Sequence, residues 1–463
     1  MRLGDIHIVH FLGIGGIGMS ALARWFHHTG KQVSGYDLTP SPLTKELEAL
    51  GIEISYQDKV ADIPKSVIDA RDGGLVVYTP AIPQNHQQYN YFVDQGYQLL
   101  KRSQVLGIIT KSLSSIAVAG THGKTTTSSM VAHLLKHADH PVNAFVGGIM
   151  TNYNSNLIVG DQDSWAVVEA DEYDRSFLQL SPEMAIVTAI DADHLDIYGD
   201  HSAMQDSFNA FIAKIAKGGH LFVHEGVAPE LDLPEYVTTT TYGLDAGHIH
   251  ATNVKISDGL FQFDVSGKID IKGVQLSLPG FHNVENALAA IGVVSELGYD
   301  AETIKAGIAA YRGVKRRFEY ILRDGELVFI DDYAHHPSEI ASLIKSVRAL
   351  YPEKKITTIF QPHLYSRTRD FMDGFAQELS KSDEVVLLDI YPAREQPIPG
   401  VDATLLLDKL TTNYKQLVSK SDLVDWVGAN DIEVLLTVGA GDIDRLVAPI
   451  AEQLKGRRHH VEG

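Results

Sequence analysis

Ser114-Ser-Ile-Ala-Val-Ala-Gly-Thr-His-Gly-Lys-Thr-Thr-Thr-Ser-Ser-Met130 is the stretch whose reading decides the fold. Its apolar run Ile116–Ala119 has the character of a strand buried in a parallel sheet. The run breaks at Gly120-Thr121-His122-Gly123. Lys124 and Thr125-Thr126-Thr127 then open a helix that continues through Met130, Val131, Leu134 and Leu135. Strand, glycine loop, lysine, hydroxyl and helix together cradle a nucleoside triphosphate. Backbone N–H groups and the positive helix end hold phosphate oxygens, Lys124 supplies a point charge, and the Thr125 hydroxyl can bind Mg²⁺. Val118 stands where the usual G-x-x-x-x-G-K-[ST] spacing has its first glycine, so the loop is the shorter Gly-x-x-Gly-Lys-Thr.

The rest of the chain is long enough to build around that loop. Its 463 residues suffice for about three domains, and 44% are apolar. No uninterrupted run of about 18 apolar residues suggests a membrane span. A strand begins almost at once, so no signal peptide is expected. There is no cysteine, which excludes disulfides, thiolate metal sites and cysteine nucleophiles and fits a cytoplasmic protein. The net charge of −20, with acidic residues spread along the chain, argues against a nucleic-acid partner. Anionic small ligands then need locally positive pockets.

Residues 6–37 hold the second signal. Ile6–Leu12 reads as a strand, Gly13-Ile-Gly15-Gly16-Ile-Gly18 follows, Met19–Phe26 has a helical pattern, and Gln32–Tyr36 is a strand ending at Asp37. That is the dinucleotide fingerprint: glycines for the turn and close phosphate approach, a helix N-terminus for a diphosphate, an acid for a ribose hydroxyl. It signals a nucleotide or diphosphate without deciding which. A helix near Pro42–Leu50, a strand Gly74–Tyr78, a helix Asn90–Gln95 and a strand near Tyr97–Lys101 complete a first domain, 1–111. Thr79-Pro-Ala81 leaves the end of a strand, where open α/β sheets bind ligands, although such a loop can also be inert.

In a second domain, 112–314, the strand Ser164–Val168 delivers Glu169-Ala-Asp171-Glu172, and Met184–Ile190 delivers Asp191-Ala-Asp-His194-Leu-Asp196. Acidic strand ends beside a triphosphate loop suggest two metal positions. Tyr198–Lys217 reads as a helix. Short strands then follow at Thr238–Thr241, Ile249–Ile256, Leu260–Val265 and Ile269–Leu278. Asn283 and Asn286 share one face at the start of the next helix, placed either to pair with a purine edge or to cap. After Gly313-Val-Lys-Arg316-Arg317-Phe318 comes a third domain, 315–463. Its strands end in Asp331-Asp332-Tyr333-Ala-His335-His336-Pro337, in Gln361-Pro-His363-Leu-Tyr365-Ser-Arg367, in Tyr391–Gly400 and in Gly439-Ala-Gly441. Polar residues at one sheet edge make that edge the ligand-facing one. The paired histidines lack further metal ligands at suitable spacing and read as hydrogen-bonding groups.

Taken together, Gly-Thr-His-Gly-Lys-Thr-Thr-Thr, Val-Glu-Ala-Asp-Glu, Asp-His-Leu-Asp, His-Asn-Val-x-Asn-Ala, Arg-Arg-Phe-Glu and Asp-Asp-Tyr-Ala-His-His-Pro resemble the Mur ligases, the ATP-dependent amino-acid ligases of peptidoglycan precursor synthesis. The motifs run in order from residue 12 to 441. Leu12–Ala23, Phe360–Arg369 and Pro397-Ile-Pro-Gly400 are most similar to the branch that adds L-alanine to UDP-N-acetylmuramate. The alternative within the family is the branch that recycles the murein tripeptide.

The resemblance implies an α/β protein with an N-terminal Rossmann-like UDP-binding domain, a central P-loop ATPase-like domain with a small β extension, and a C-terminal Rossmann-like domain closing over ATP. It implies that Gly13, Gly15, Gly16 and Gly18, with Asp37, Thr79 and Ala81, hold the UDP substrate. Gly120–Thr126 would hold ATP, with Lys124 on its phosphates. Thr125 and Glu169 would bind one Mg²⁺, and His194 a second. Asn283 and Asn286 would meet adenine, and Arg317 and Asp332 the phosphate and ribose side of ATP. Tyr333, His335 and Arg367 would form the amino-acid site, with His335 as a candidate base. ATP and Mg²⁺ are thus the implied cofactors, UDP-N-acetylmuramate and L-alanine the partners, and a monomer or homodimer the form. Leu364 stands where the resemblance implies an arginine, and no lysine lies in Ser202–Ala213, where several sibling ligases carry a carbamylated one.

Overall fold

The computed structural model describes every residue except 1, 71–72, 162–163, 192–197, 199, 258–259, 394 and 460–463, and leaves aside the side chains of 174 and 457–459. The chain forms two compact units. The first holds Met1–Lys255, Gln262–Ser277 and Val284–Arg312, and the second holds Ile256–Phe261, Leu278–Asn283 and Gly313–Gly463.

Three sheets organise the α/β architecture. Ile8–Leu12 (β1), Gln32–Tyr36 (β2), Glu53–Ser55 (β3), Gly74–Tyr78 (β4) and Gln98–Lys101 (β5) form an all-parallel sheet in the order β3-β2-β1-β4-β5. The order reverses between β1 and β4, whose last residues, Leu12 and Tyr78, are in register. Gly13 and Thr79 therefore leave the sheet side by side at its switch point, the crevice where doubly wound sheets bind ligands.

The second sheet contains Ser115–Ala119 (β6), Val142–Met150 (β7), Ser155–Ile158 (β8), Trp165–Glu169 (β9), Met184–Val187 (β10), His220–His224 (β11), Thr238–Gly243 (β12), Ile249–Ser257 (β13), Leu260–Gly267 (β14) and Ile271–Leu276 (β15). Its order is β15-β14-β13-β12-β11-β10-β6-β9-β7-β8. Every residue of β6 is buried, which accounts for its unbroken run of small and apolar side chains. Val118 pairs with Glu169 on one side and Ala119 with Val187 on the other. The phosphate loop thus emerges between two strand ends that carry polar residues.

The first two sheets share one core in which Trp25 packs edge-on against Phe145, with ring centroids 5.8 Å apart. Trp25 also donates its indole N–H to Asn143 Oδ1 at 3.0 Å. In the second unit, Glu319–Arg323 (β16), Val328–Asp332 (β17), Ile356–Phe360 (β18), Glu384–Leu387 (β19), Tyr414–Leu417 (β20) and Val434–Val438 (β21) follow the order β16-β17-β21-β18-β19-β20. Only the β16–β17 pairing is antiparallel, so β17, β21, β18 and β19 end at one common edge.

Several elements differ from the sequence reading. The helix expected over Tyr198–Lys217 runs only over His201–Ile212, because Asp200 caps it by accepting from Ala203 N at 2.8 Å. The strand expected to reach Ile190 stops at Val187, and Thr188 N turns back to Ala119 O. The helix Arg102–Ser112 and the strands β7 and β8 were not anticipated. β7 runs through Gly147-Gly148, two residues without side chains that hide its period in the sequence. No helix among the described residues is long and apolar enough to cross a membrane.

Candidate active site

The loop after β6 has a backbone that admits few residues. Gly120 has φ +137° and Gly123 has φ +79°. A Cβ on Gly123 would lie 2.7 Å from Asn286 Oδ1, and one on Gly120 would strike Thr188 and come within 2.9 Å of Ala189 N. Both positions require glycine by conformation and by space. Thr121 N donates to Ala189 O at 2.9 Å, Thr121 Oγ1 accepts from Asp191 N at 3.0 Å, and His122 Nε2 sits 3.0 Å from Asp191 Oδ2. The loop is thereby tied to the strand end beside it.

The helix Lys124–His137 is buried from Thr125 to Leu135 although its first turns are all hydroxyl residues. Ser128 Oγ donates to Thr125 O and Ser129 Oγ to Thr126 O within the helix, and Thr127 Oγ1 donates across to Asn286 Oδ1 at 3.0 Å. Lys124 Nζ donates to Gly120 O at 2.6 Å and to Glu172 Oε1 at 2.8 Å. Burial pulls this ammonium toward neutrality, but Glu172, Asp171 and Glu169 outweigh it and hold its pKa above the usual lysine value. Lys124 is therefore a fixed cation.

Thr125 Oγ1 donates to Glu169 Oε1 at 3.0 Å, and Glu169 Oε2 accepts from Gly147 N at 2.8 Å. A hydroxyl and a carboxylate meeting beside a phosphate loop are the hard oxygen donors that suit Mg²⁺, which keeps its remaining positions for water and phosphate. The fit is good for these two residues. His194, with Asp196, lies outside the described residues.

At the first sheet, Gly15 N donates to Asp37 Oδ2 at 2.7 Å, and a Cβ on Gly13 would meet Thr79 Cγ2 at 2.5 Å. Ala81 N donates weakly to Thr79 Oγ1 at 3.4 Å. A cleft of about 370 Å³ runs from Gly16, Ile17 and Gly18, past Thr79 and Arg102, to Gly147, Glu169 and Asp171. The diphosphate-type loop and the carboxylate beside the phosphate loop thus face one space. Arg102 begins the helix after β5 and lies over Gly18. No motif singled it out in the sequence.

Asn283 and Asn286 stand on the helix Phe281–Glu296. Asn283 Nδ2 donates to Pro279 O at 2.6 Å, and Asn286 Oδ1 accepts from Thr127 Oγ1, bracing the phosphate-loop helix.

In the second unit the connector after Gly313 has two non-glycine residues at positive φ, Arg316 (+62°) and Phe318 (+49°). Asp332 holds it there: its Oδ2 accepts from Phe318 N and its Oδ1 from Ala334 N, each at 2.7 Å. Burial nevertheless pushes the Asp332 carboxyl up to about 6. The guanidinium groups of Arg316 and Arg317 each stand 5.0 Å from the Tyr333 ring centroid, on which they stack. His335 Nδ1 lies 3.0 Å from Tyr333 O and 3.3 Å from Glu339 Oε2, and burial lowers its pKa to about 4. Arg367, on the helix Tyr365–Asp370, is near enough to lower it further. Tyr333, His335 and Arg367 therefore gather at one sheet edge.

Glu339 is a second residue that sequence reading passed over: it accepts from His335 N at 2.9 Å and sits 3.7 Å from Arg317. Its place three residues after His336, the N-cap of Pro337–Leu350, was the available signal. Leu364 takes φ +68° at the start of the Arg367 helix, pinned by its N–H to Tyr391 O at 2.9 Å.

The diphosphate-type loop and the acid beside the phosphate loop line one cleft, and comparison with known proteins places that arrangement. Residues 8–113 match the Mur ligase family catalytic domain, 118–294 the Mur ligase middle domain and 316–441 the Mur ligase glutamate ligase domain. The UDP-N-acetylmuramate–L-alanine ligase of Cytophaga hutchinsonii is 48% identical over 457 residues, covering 97% of each chain. The crystal structure of the UDP-N-acetylmuramate–alanine ligase of Thermotoga maritima superposes with a TM-score of 0.78 at 30% identity, covering 97% of this chain and 99% of the other. The crystal structure of the UDP-N-acetylmuramate:L-alanyl-γ-D-glutamyl-meso-diaminopimelate ligase from Neisseria meningitides has a TM-score of 0.60 at 27% identity and covers 67% of this chain and 100% of its own. All three domains of the family are present in order along nearly the whole length, and this chain belongs to the Mur ligases.

Proposed function

We propose that this chain uses ATP to join L-alanine to the lactyl carboxylate of UDP-N-acetylmuramate, a cytoplasmic step of peptidoglycan precursor synthesis. The observation that carries the reading is the single cleft reaching from Gly16–Gly18 to Glu169, because one substrate must be held by its diphosphate while its far end meets ATP. The near-full-length likeness to alanine-adding enzymes supports alanine over the tripeptide.

The carboxylate oxygen attacks the γ-phosphorus, the bond to the β–γ bridging oxygen breaks, and ADP leaves behind an acyl phosphate. The alanine nitrogen then attacks the acyl carbon, and inorganic phosphate departs. Lys124 offsets charge on the phosphate oxygens in the first step. Mg²⁺ held by Thr125 and Glu169 would supply further charge neutralisation there. Tyr333, His335 and Arg367 orient alanine, with the arginine fork suited to its carboxylate. His335, with a pKa near 4, is neutral at working pH and too weak a base for an ammonium proton, which passes to solvent.

The test is phosphate release from ATP and Mg²⁺ with UDP-N-acetylmuramate, comparing L-alanine with the L-Ala-D-Glu-diaminopimelate tripeptide. Release that requires both the UDP-sugar and alanine supports the reading. Release with the tripeptide alone moves the chain to the recycling branch.

A further inference from the structure

We infer that Arg102 is a substrate-binding cation that exchanges Asp171 for the diphosphate of the UDP-sugar. The inference rests on the reading above and adds a residue to it.

Three observations carry it. Among the described residues Arg102 is the only cationic side chain lining the cleft, whose other charged walls are Glu169 and Asp171. A substrate with a diphosphate and a carboxylate would otherwise enter a space of its own sign. Second, the guanidinium lies directly on the loop: a Cβ on Gly18 would be 2.5 Å from Arg102 Nη1, 2.9 Å from Cδ and 3.1 Å from Cζ. Gly18 therefore leaves room for a side chain from another element beside the N-terminus of Ile17–His28. Third, its present partner is weak. Arg102 Nη2 stands 3.6 Å from Asp171 Oδ2, and the two side chains are 30% and 39% exposed. Such a pair contributes little in water, whereas a guanidinium fork on a phosphate makes two charge-assisted hydrogen bonds. Exchange of Asp171 for diphosphate is therefore favourable, and lysine could not reproduce the fork.

The experiment is calorimetric titration of UDP and of UDP-N-acetylglucosamine, which lacks the lactyl carboxylate, into the full chain and its Arg102→Met, Arg102→Lys and Asp171→Asn variants. KM is measured alongside for UDP-N-acetylmuramate and ATP. Arg102→Met should weaken both probes and raise KM for the UDP-sugar about 10- to 100-fold, with KM for ATP unchanged. Arg102→Lys should recover part of this. Asp171→Asn frees the arginine and should tighten UDP by up to about fivefold, an effect that a purely structural ion pair would not give. UDP affinity unchanged in the folded Arg102 variants overturns the inference. Loss confined to UDP-N-acetylmuramate also overturns it, placing the arginine on the lactyl carboxylate. Wild-type protein that binds neither probe would instead take down the functional reading itself.

Discussion

Lys124 Nζ stands 2.8 Å from Glu172 Oε1, so the cation of the phosphate loop is held by a carboxylate with almost no exposed surface. The same ammonium donates to Gly120 O, which closes the loop on itself. The loop is therefore shaped before any nucleotide arrives, and little ordering is left for ATP to bring about. Glu172 also accounts for an acid that the sequence left without a role.

Removing only one partner of this pair should be costly. Lys124→Met takes the ammonium away from the buried Glu172 and should destabilise the first unit by about 3–5 kcal/mol. The double variant Lys124→Met, Glu172→Gln should recover most of that loss while staying inactive. Urea unfolding of the three proteins checks both parts. A double variant no more stable than the single one would show that the pair is not the source of the loss.

His335 gives a second, kinetic expectation. Its pKa near 4 keeps the ring neutral across the working range. His335→Gln should raise KM for alanine, because a group that orients the amino acid is changed, yet leave the pH profile of kcat between pH 6 and 9 unaltered. A basic or acidic limb that disappears with the histidine would restore it as a proton acceptor.

Much of this was legible because the phosphate and diphosphate loops are local: Gly13–Gly18 and Gly120–Lys124 each carry strand, turn and helix start within a few residues. The strands Gly74–Tyr78 and Val434–Val438 could be bounded to the residue because buried parallel strands are near-continuous apolar runs, and Gln32–Tyr36 by its place between the glycine loop's helix and Asp37. What could not be read depends on contacts distant in the chain. Arg102 acquires meaning only by lying over Gly18, 84 positions earlier. Asp332 looks like a ligand-facing acid at a strand end, yet both its oxygens accept backbone amides. The bond from Thr127 Oγ1 to Asn286 Oδ1 likewise joins residues 159 positions apart and leaves no trace in the local sequence.

That use of Asp332 yields a third expectation. Arg316 and Phe318 sit in the left-handed region at a cost of order 1–3 kcal/mol each, which the surroundings must offset. An asparagine offers one acceptor oxygen where the carboxylate offers two. Asp332→Asn should therefore release one end of the connector, lower the melting temperature of the second unit and reduce kcat. Adding Phe318→Gly, which removes strain, should restore part of the melting temperature. No recovery would mean that Asp332 acts on ligand and not on the connector.

The last expectation concerns acid. His10 is buried between Ser34 Oγ at 2.9 Å and Gln88 Oε1 at 3.3 Å, and His133 between the Tyr153 hydroxyl and Gly307 O. Burial lowers both to about 4, well below the value of about 6.5 in the unfolded chain. The unfolded chain thus takes up protons first on acidification. The stabilisation is complete above pH 6.5 and is lost as pH falls from 6.5 toward 4, by up to about 3 kcal/mol for each histidine. His10→Gln keeps a hydrogen-bonding side chain without a titrating ring, so it should flatten this acid limb by one proton's worth. Urea midpoints for the first unit at pH 7.5, 6, 5 and 4.5 would show it. Equal slopes for wild type and variant would mean that the buried imidazole is not what makes the fold acid-sensitive.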